Sequence, residues 1–338
     1  MGQWKGALEG VVMADEGFWK ERIVLLTGAS GLVGSWLVEK LLFLGARPVC
    51  LVRDRVPDSR FFSEGFAGKV TVAAGELEDR NAIERVINEY EPATIFHLGA
   101  QTIVQTANRS PLHTFRANIE GTWNLLEAFR THGKSVEQVV VASSDKAYGS
   151  QKKLPYTEET PLQGKHPYDV SKSCVDLISQ SYAATYSLPV VISRCGNFFG
   201  GGDLNFNRIV PGTIQSLYKN EAPVIRTDGT YVRDYIYVKD AVSAYLTLAE
   251  KFKPSLAGEA FNFSNETQMT TLEIVSLISR LMKKKIAPKV LNSASGEIRD
   301  QHLSAKKARE VLGWSAKYGI EDGLKETIEW YTAYFGKK

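Results

Sequence analysis

The chain of 338 residues carries only three cysteines, Cys50, Cys174 and Cys195, and no two of them form a C-x-x-C spacing. That excludes a disulfide framework and a thiolate zinc site, and it fits free thiols in a reducing compartment, with the cytoplasm as the default. The five histidines, His97, His113, His132, His166 and His302, show no metal-ligand spacing either, so no metal is expected. Charge of one sign is lacking as well: 41 Lys and Arg against 38 Asp and Glu leave a net charge of +3. Such a balance gives no field that argues for a nucleic-acid or membrane partner. Long hydrophobic runs are absent; residues 1–20 include acidic side chains and no unbroken apolar core, so they read as a short preface and neither a signal peptide nor an anchor. Internal repeats, low-complexity tracts and Pro/Gly/Ser linkers are missing too.

What the chain does contain is enough apolar material for a sizeable core, 43% hydrophobic and 10% aromatic residues beside 23% charged. Apolar strands are expected at 23–27, 49–52, 70–73, 94–98, 139–142 and 190–193. Between most of them lie spans that suit crossover helices, such as 80–89, 112–129 and 169–186, and a helical pattern follows the first strand as far as Leu44. Strands alternating with helices predict a Rossmann-like α/β fold with a doubly wound parallel sheet, because each parallel return needs a right-handed crossover. Residues 21–200 read mainly as a Rossmann domain. After Gly200 the regularity gives way to a glycine-rich loop and helices at 209–218, 240–250, 272–281 and 320–334, so 201–338 reads mainly as a smaller substrate-binding portion packed into the same body.

Two local patterns point to chemistry. Gly28, Gly31 and Gly34 stand in TGASGLVG between the first strand and the first helix. The first two glycines allow a tight turn and close approach of a pyrophosphate, the third lets the helix pack on its strand, and the helix N-terminus faces the phosphates. The second strand ends in Val52-Arg53-Asp54-Arg55. An acid there suits the ribose 2′-hydroxyl of NAD and an arginine suits the 2′-phosphate of NADP; Asp54 favours NAD, and NADP stays open. Tyr168 and Lys172 form a Y-x-x-x-K pair behind Pro167, which puts both on one face of a helix, one turn apart. A tyrosine is a poor base at neutral pH without a cation beside it. At the end of the strand at 139–142 lies Ser143-Ser144-Asp145-Lys146-Ala147-Tyr148, where ligands bind in such sheets. Ser144 suits a hydrogen bond to a substrate hydroxyl, Asp145 a general acid, and Lys146 a base or an electrostatic partner. Without that context, the same residues would read as a solvated turn.

Taken together, TGASGLVG, HLGAQ at 97–101, Asn118 in NIEGT, the Tyr168/Lys172 pair, Asn197, RDYIYVKD at 233–240 and LGW at 312–314 resemble the extended short-chain dehydrogenase/reductases, in particular the nucleotide-sugar epimerases and dehydratases. The resemblance runs from about residue 18 to about residue 334. Finer features are most similar to the CDP-glucose 4,6-dehydratases: Phe18-Trp19, Gly34-Ser35-Trp36-Leu37, Ser144-Asp145-Lys146, and Gly196-Asn197 leading into Gly200-Gly201-Gly202-Asp203 and Arg208. Simple 4-epimerases of the superfamily have no Asp-Lys pair at that place. The chain departs from the subfamily in the form of its glycine turn, in Tyr231–Asp240, and in having Leu204 and Asn207 where Trp and Asp are usual, which leaves nucleotide and sugar open.

The resemblance implies transient oxidation of a nucleotide hexose at C4, loss of water across C5–C6 and hydride return to C6, with Ser144, Asp145, Lys146, Tyr168 and Lys172 as catalytic residues. It implies cofactor contacts from Gly28, Ser30, Gly31, Leu32, Val33 and Gly34 in the turn, and from Arg53, Asp54, Glu76 and Leu77 beyond it. Leu98, Ala100, Gln101 and Asn118 complete that set with Tyr168 and Lys172, and substrate contacts fall to Asn197, Arg208, Arg233 and Arg299. It further implies a homodimer formed through the helices at 112–129 and 169–186. The rival readings are a 4-epimerase using the same Tyr168/Lys172 pair, and a non-catalytic dinucleotide sensor, which would typically have lost that pair. Cys195 and the C-terminal aromatics Trp330, Tyr331, Tyr334 and Phe335 read as packing, and Lys283-Lys284-Lys285 as a solvated helix end.

Overall fold

The computed structural model describes residues 14–293 and 297–337, so most of the expected preface lies outside the described residues. Its described end is part of the core. Asp15 caps α1 (Glu16–Trp19) by accepting from the Phe18 amide, and Trp19 is fully buried, with its indole N–H donating to Glu250.

From there strand and helix alternate: β1 (Ile23–Thr27), α2 (Leu32–Phe43), β2 (Arg47–Val52), the single turn α3 (Arg60–Ser63), β3 (Thr71–Ala74), α4 (Arg80–Tyr90) and β4 (Thr94–His97). Asp79 starts α4 by accepting from the Ala82 amide, and Ala82, Ile83, Val86 and Ile87 form its buried stripe. Next come α5 (Val104–Arg109), α6 (Pro111–Phe115), α7 (Gly121–His132), β5 (Gln138–Ala142), α8 (Pro167–Tyr186) and β6 (Val190–Cys195). The crossover helix expected over 112–129 is thus two helices joined by a π-helical stretch, Arg116–Glu120. Such a widened turn re-aims the side chains it carries, here including Asn118.

The remaining elements are β7 (Asn197–Phe199), α9 (Ile209–Tyr218), β8 (Val224–Ile225), β9 (Val232–Tyr237), α10 (Val238–Glu250), β10 (Ala260–Phe263), β11 (Gln268–Thr270), α11 (Thr271–Leu281), β12 (Lys289–Val290) and α12 (Ile320–Gly336). The central sheet has seven strands in the order β10-β6-β5-β4-β1-β2-β3, all parallel. Alternate strand residues feed two cores: Val24, Leu26, Phe96 and Val140 pack on one face, Leu25, Ile95, Val139 and Val141 on the other. Burial on both faces is why these strands read as continuous apolar runs.

The chain leaves the seven-stranded sheet after Cys195 and rejoins it at β10, from within the stretch beyond residue 200. Segments on both sides of β10 form a small sheet in the order β11-β9-β7 and a ribbon of β12 with β8. The small sheet sits tight against the end of β6: a Cβ at Gly196 would lie 2.9 Å from the Asp234 carbonyl oxygen. The order reverses between β1 and β4, and the crevice at their carboxyl ends is where an open parallel sheet takes its ligand.

Candidate active site

The glycine turn opens at the carboxyl end of β1. Gly28 has φ +78, and a Cβ there would meet the Gly99 nitrogen at 2.8 Å; a Cβ on Gly34 would come within 2.1 Å of the Gly28 carbonyl oxygen. Both positions therefore admit glycine alone without backbone movement. Gly31 caps α2 without any side-chain hydrogen bond, which leaves the first amides of the helix, from Leu32 and Val33 on, for an anion. At the end of β2, Arg53 and Asp54 pair with each other at 2.6 Å, both exposed. Across the crevice, Asn118 binds Gln101 through both its backbone groups, at 2.7 and 3.1 Å, and Ser171 at 2.9 Å. It thereby ties the loop after β4, with Leu98 and Ala100, to α8. His97 is sealed between Thr27 and Thr122 at 2.9 and 3.0 Å, and burial drives its pKa down to about 3. Glu76 and Leu77 follow β3; the Leu77 carbonyl accepts from Asn124.

Pro167 at the first position starts α8, and the helix carries Tyr168 and Lys172 inward on one face, both buried. Burial pushes the Tyr168 phenol well up, while Arg208 and the Ser144 hydroxyl act against that shift by favouring the phenolate. Lys172 donates to the Ala142 carbonyl at 2.7 Å. Burial lowers its pKa to about 8, against the pull of Asp176 one turn further on. Asp176 is itself held by a two-pronged ion pair to Arg194, at 2.7 and 2.8 Å, with neither residue exposed.

Beyond β5 the chain turns sharply through the 3-10 stretch Asp145–Tyr148, capped by Ser144, whose oxygen accepts from the Lys146 amide. The Ser144 hydroxyl donates to Asp145 Oδ1 at 3.0 Å, whereas Asp145 Oδ2 is buried with no hydrogen-bond partner among the described residues. Burial raises the Asp145 pKa, against Lys146, Ser144 and Arg233. Burial lowers that of Lys146, against Asp145, Asp169 and Glu297. The two neighbours are thus driven from the ion pair toward carboxylic acid and free amine, the forms that an acid and a base need.

The expected substrate-binding residues separate. Asn197 opens β7 with its Nδ2 buried and without partner among the described residues. Arg208 spans Asp203 at 3.0 Å and Thr102 at 3.1 Å, and its charge acts on Tyr168. Arg233 is nearly buried, anchored to the carbonyls of Val232 and Arg299, and acts on Asp145. The Arg299 guanidinium, by contrast, lies 63% exposed beside Asp228, so its carbonyl serves the site as a brace for Arg233.

Sequence reasoning missed Gln301, Asp169 and the Asp176–Arg194 pair. Gln301 accepts from Lys146 Nζ at 3.1 Å, but it stands 155 residues away with no motif around it. Asp176 did leave a signal, since it lies four residues after Lys172 and so on the same helix face. Cys195 is the inert packing residue expected, its thiol 3.0 Å from the Ser193 hydroxyl and pushed by burial up to about 12. No group of His, Cys, Asp or Glu among the described residues could hold a metal.

Residues 25–327 match the model of a family described as GDP-mannose 4,6 dehydratase. The CDP-glucose 4,6-dehydratase of Salmonella typhimurium is 28% identical, over 95% of this chain and 94% of its own. Among solved structures, the UDP-glucose 4-epimerase of Thermotoga maritima with UDP-glucose superposes with TM-score 0.85 at 28% identity, covering 93% of this chain and 99% of that one. The dTDP-glucose 4,6-dehydratase of Bacillus anthracis in complex with NAD gives TM-score 0.81 at 27% identity, covering 92% and 97%.

Proposed function

The chain belongs to the GDP-mannose 4,6 dehydratase family of nucleotide-sugar dehydratases and epimerases, and within it we propose that it is an NAD-dependent nucleotide-sugar 4,6-dehydratase acting on a CDP-glucose-like substrate. The observation that carries this reading is the Asp145–Lys146 pair: Asp145 is buried with its Oδ2 without partner among the described residues and acts on Tyr168, Lys146 is half-buried and donates to Gln301, and desolvation pushes the two toward the neutral acid and amine. A 4-epimerase needs no such pair.

NAD fits the residues present. The uncapped α2 N-terminus and the glycine turn would hold its pyrophosphate, Asp54 its ribose hydroxyls, and Lys172 and Tyr168 the nicotinamide side. The chemistry that NAD supplies when bound is a reversible hydride store, filled from sugar C4 and emptied at C6.

The chain's own residues move the protons. Tyr168, with Arg208 favouring its phenolate, takes the proton of the sugar 4-hydroxyl. The resulting ketone acidifies C5–H, and Lys146, held toward the free amine, takes that proton while Asp145 gives its own to the departing 6-hydroxyl. Water leaves. Lys146 then returns its proton to C5, and the proton kept by Tyr168 balances the one that Asp145 gave up. The product is a 4-keto-6-deoxyhexose, and no external reductant is consumed. Arg208, Arg233 and Asn197 are the groups for the substrate's diphosphate and sugar.

The test is mass spectrometry after incubation with CDP-, dTDP-, GDP- and UDP-hexoses in turn, without reductant. Loss of one water from one of them supports the reading and names the nucleotide. Unchanged mass with a new stereoisomer on chromatography makes the protein a 4-epimerase, and Asp145 and Lys146 then fall to binding or structure.

A further inference from the structure

Gln301 is fully buried, and its backbone is clamped on both sides. Its amide donates to the Val232 carbonyl at 3.2 Å, and the chain just after it is pinned to Tyr156: the Tyr156 amide donates to the His302 carbonyl and the Ser304 amide to the Tyr156 carbonyl, each at 2.9 Å. A side chain held this firmly has little freedom of aim. Its Oε1 accepts from Lys146 Nζ at 3.1 Å. Its Nε2, with two N–H groups, is buried and has no hydrogen-bond partner among the described residues. Buried amide donors are almost always satisfied, so an unsatisfied one beside reacting groups points to a ligand oxygen.

We propose that Gln301 is a positioning and substrate-binding residue for the elimination step: its carboxamide oxygen orients the Lys146 amine toward the C5 proton, and its Nε2 donates to a hydroxyl oxygen of the hexose. The inference rests on the 4,6-dehydratase reading. An amide suits both tasks where a carboxylate would not. It accepts an N–H from Lys146 without adding negative charge, and it offers donors to the sugar from the same planar group.

The charged groups around Lys146 are Asp145 on its own turn, Asp169 on α8, Arg233 on β9 and Glu297 on the segment leading to Gln301. Replacing the amide by a carboxylate adds one more negative charge in direct contact with the ammonium. That holds Lys146 protonated, so a higher pH is needed to free the base.

The experiment compares wild type with Gln301→Glu and Gln301→Met, by kcat and KM as functions of pH and by uptake of deuterium at C5 from heavy water. Gln301→Glu is expected to move the acidic limb of the kcat profile upward by ~1 pH unit or more, with C5 exchange recovering at high pH. Gln301→Met is expected to raise KM by about tenfold, for the lost donor, and to slow C5 exchange without moving that limb upward. Should Gln301→Glu fail to fold, Gln301→Met decides alone. A wild-type limb position in Gln301→Glu, or wild-type KM and C5 exchange in Gln301→Met, overturns the inference and leaves the dehydratase reading standing. A wild-type enzyme that epimerises and never exchanges C5 overturns both together.

Discussion

Lys172 is buried and Lys146 half-buried, and each is pulled toward the free amine for the same reason, the loss of water around its charge. For Lys172 the folded pKa of about 8 lies below the 10.5 of a lysine in water. Between those two values the unfolded chain binds a proton that the folded one does not, so the penalty for burying the Lys172 charge, full below about 8, is relieved as pH rises to 10.5. Relative to Lys172→Met, the wild type is therefore expected to gain stability across that window at up to ~1.4 kcal/mol per pH unit. Urea midpoints of the two proteins, taken at matched pH, read the difference directly; parallel curves would show that Lys172 titrates as it does in water. The Asp145–Lys146 pair predicts a split between half-reactions. Asp145→Asn and Lys146→Ala should bind and oxidise the sugar, reducing the cofactor, yet lose water about 10²–10⁴-fold more slowly. Tyr168→Phe should lose cofactor reduction as well. Full turnover by the Asp145→Asn/Lys146→Ala double variant would sink the assignment.

At the scale of single elements, three junctions make the site: the β1–α2 turn, the β5 turn and the first two turns of α8. The β1–α2 junction tolerates the least change, because the obstacle to a side chain at Gly34 is backbone, the Gly28 carbonyl oxygen at 2.1 Å. Gly34→Ala is expected to destabilise the protein by about 1–3 kcal/mol and to weaken NAD binding by at least ~10-fold, since the helix must move away from the strand that aims it. Thermal melts together with calorimetric NAD titration check this; a variant with wild-type Tm and affinity would show that the turn has slack. The α7–α8 side is held differently. Asn118, on the π-helical stretch before α7, grips the loop after β4 with one end and α8 with the other. A regular helix would give that side chain another direction.

Over the whole molecule, several of the exposed large apolar side chains fall on two neighbouring helical elements. Leu112 is 64% exposed and Leu177 54%, and Trp123 and Tyr186 lie on the same helices, α6–α7 and α8. These are the helices through which the resemblance implies a dimer, and we propose that a second copy of the chain covers them. Leu177→Glu is expected to yield monomers in sedimentation velocity at micromolar concentration, with its fold intact by circular dichroism. A wild type that sediments as a monomer refutes the proposal. No helix among the described residues is long and apolar enough to cross a membrane.

The parallel α/β sheet was legible in the sequence because strands buried on both faces must be apolar throughout and because each parallel return needs a crossover of its own. The glycine turn and the Tyr168/Lys172 pair were legible for a related reason: their geometry is set by neighbours three or four residues away, so the constraint is written locally. Local rules did not reveal the break between α6 and α7, whose residues have ordinary helical propensity and widen only where Asn118 must reach two other elements. Nor did they reveal β10, which enters the sheet beside β6 from far along the chain, Ala260 pairing with Ile192 and Phe263 with Cys195. Tertiary structure alone decided the surroundings of Asp145 and Lys146, a solvated turn by spacing, where desolvation pushes the one toward the acid and the other toward the amine. It also decided that Arg233 faces the site while Arg299 turns outward, and that Gln301 meets Lys146. Sequence spacing encodes what the backbone forces on near neighbours; desolvation and contact across 155 residues exist only once the chain has closed around them.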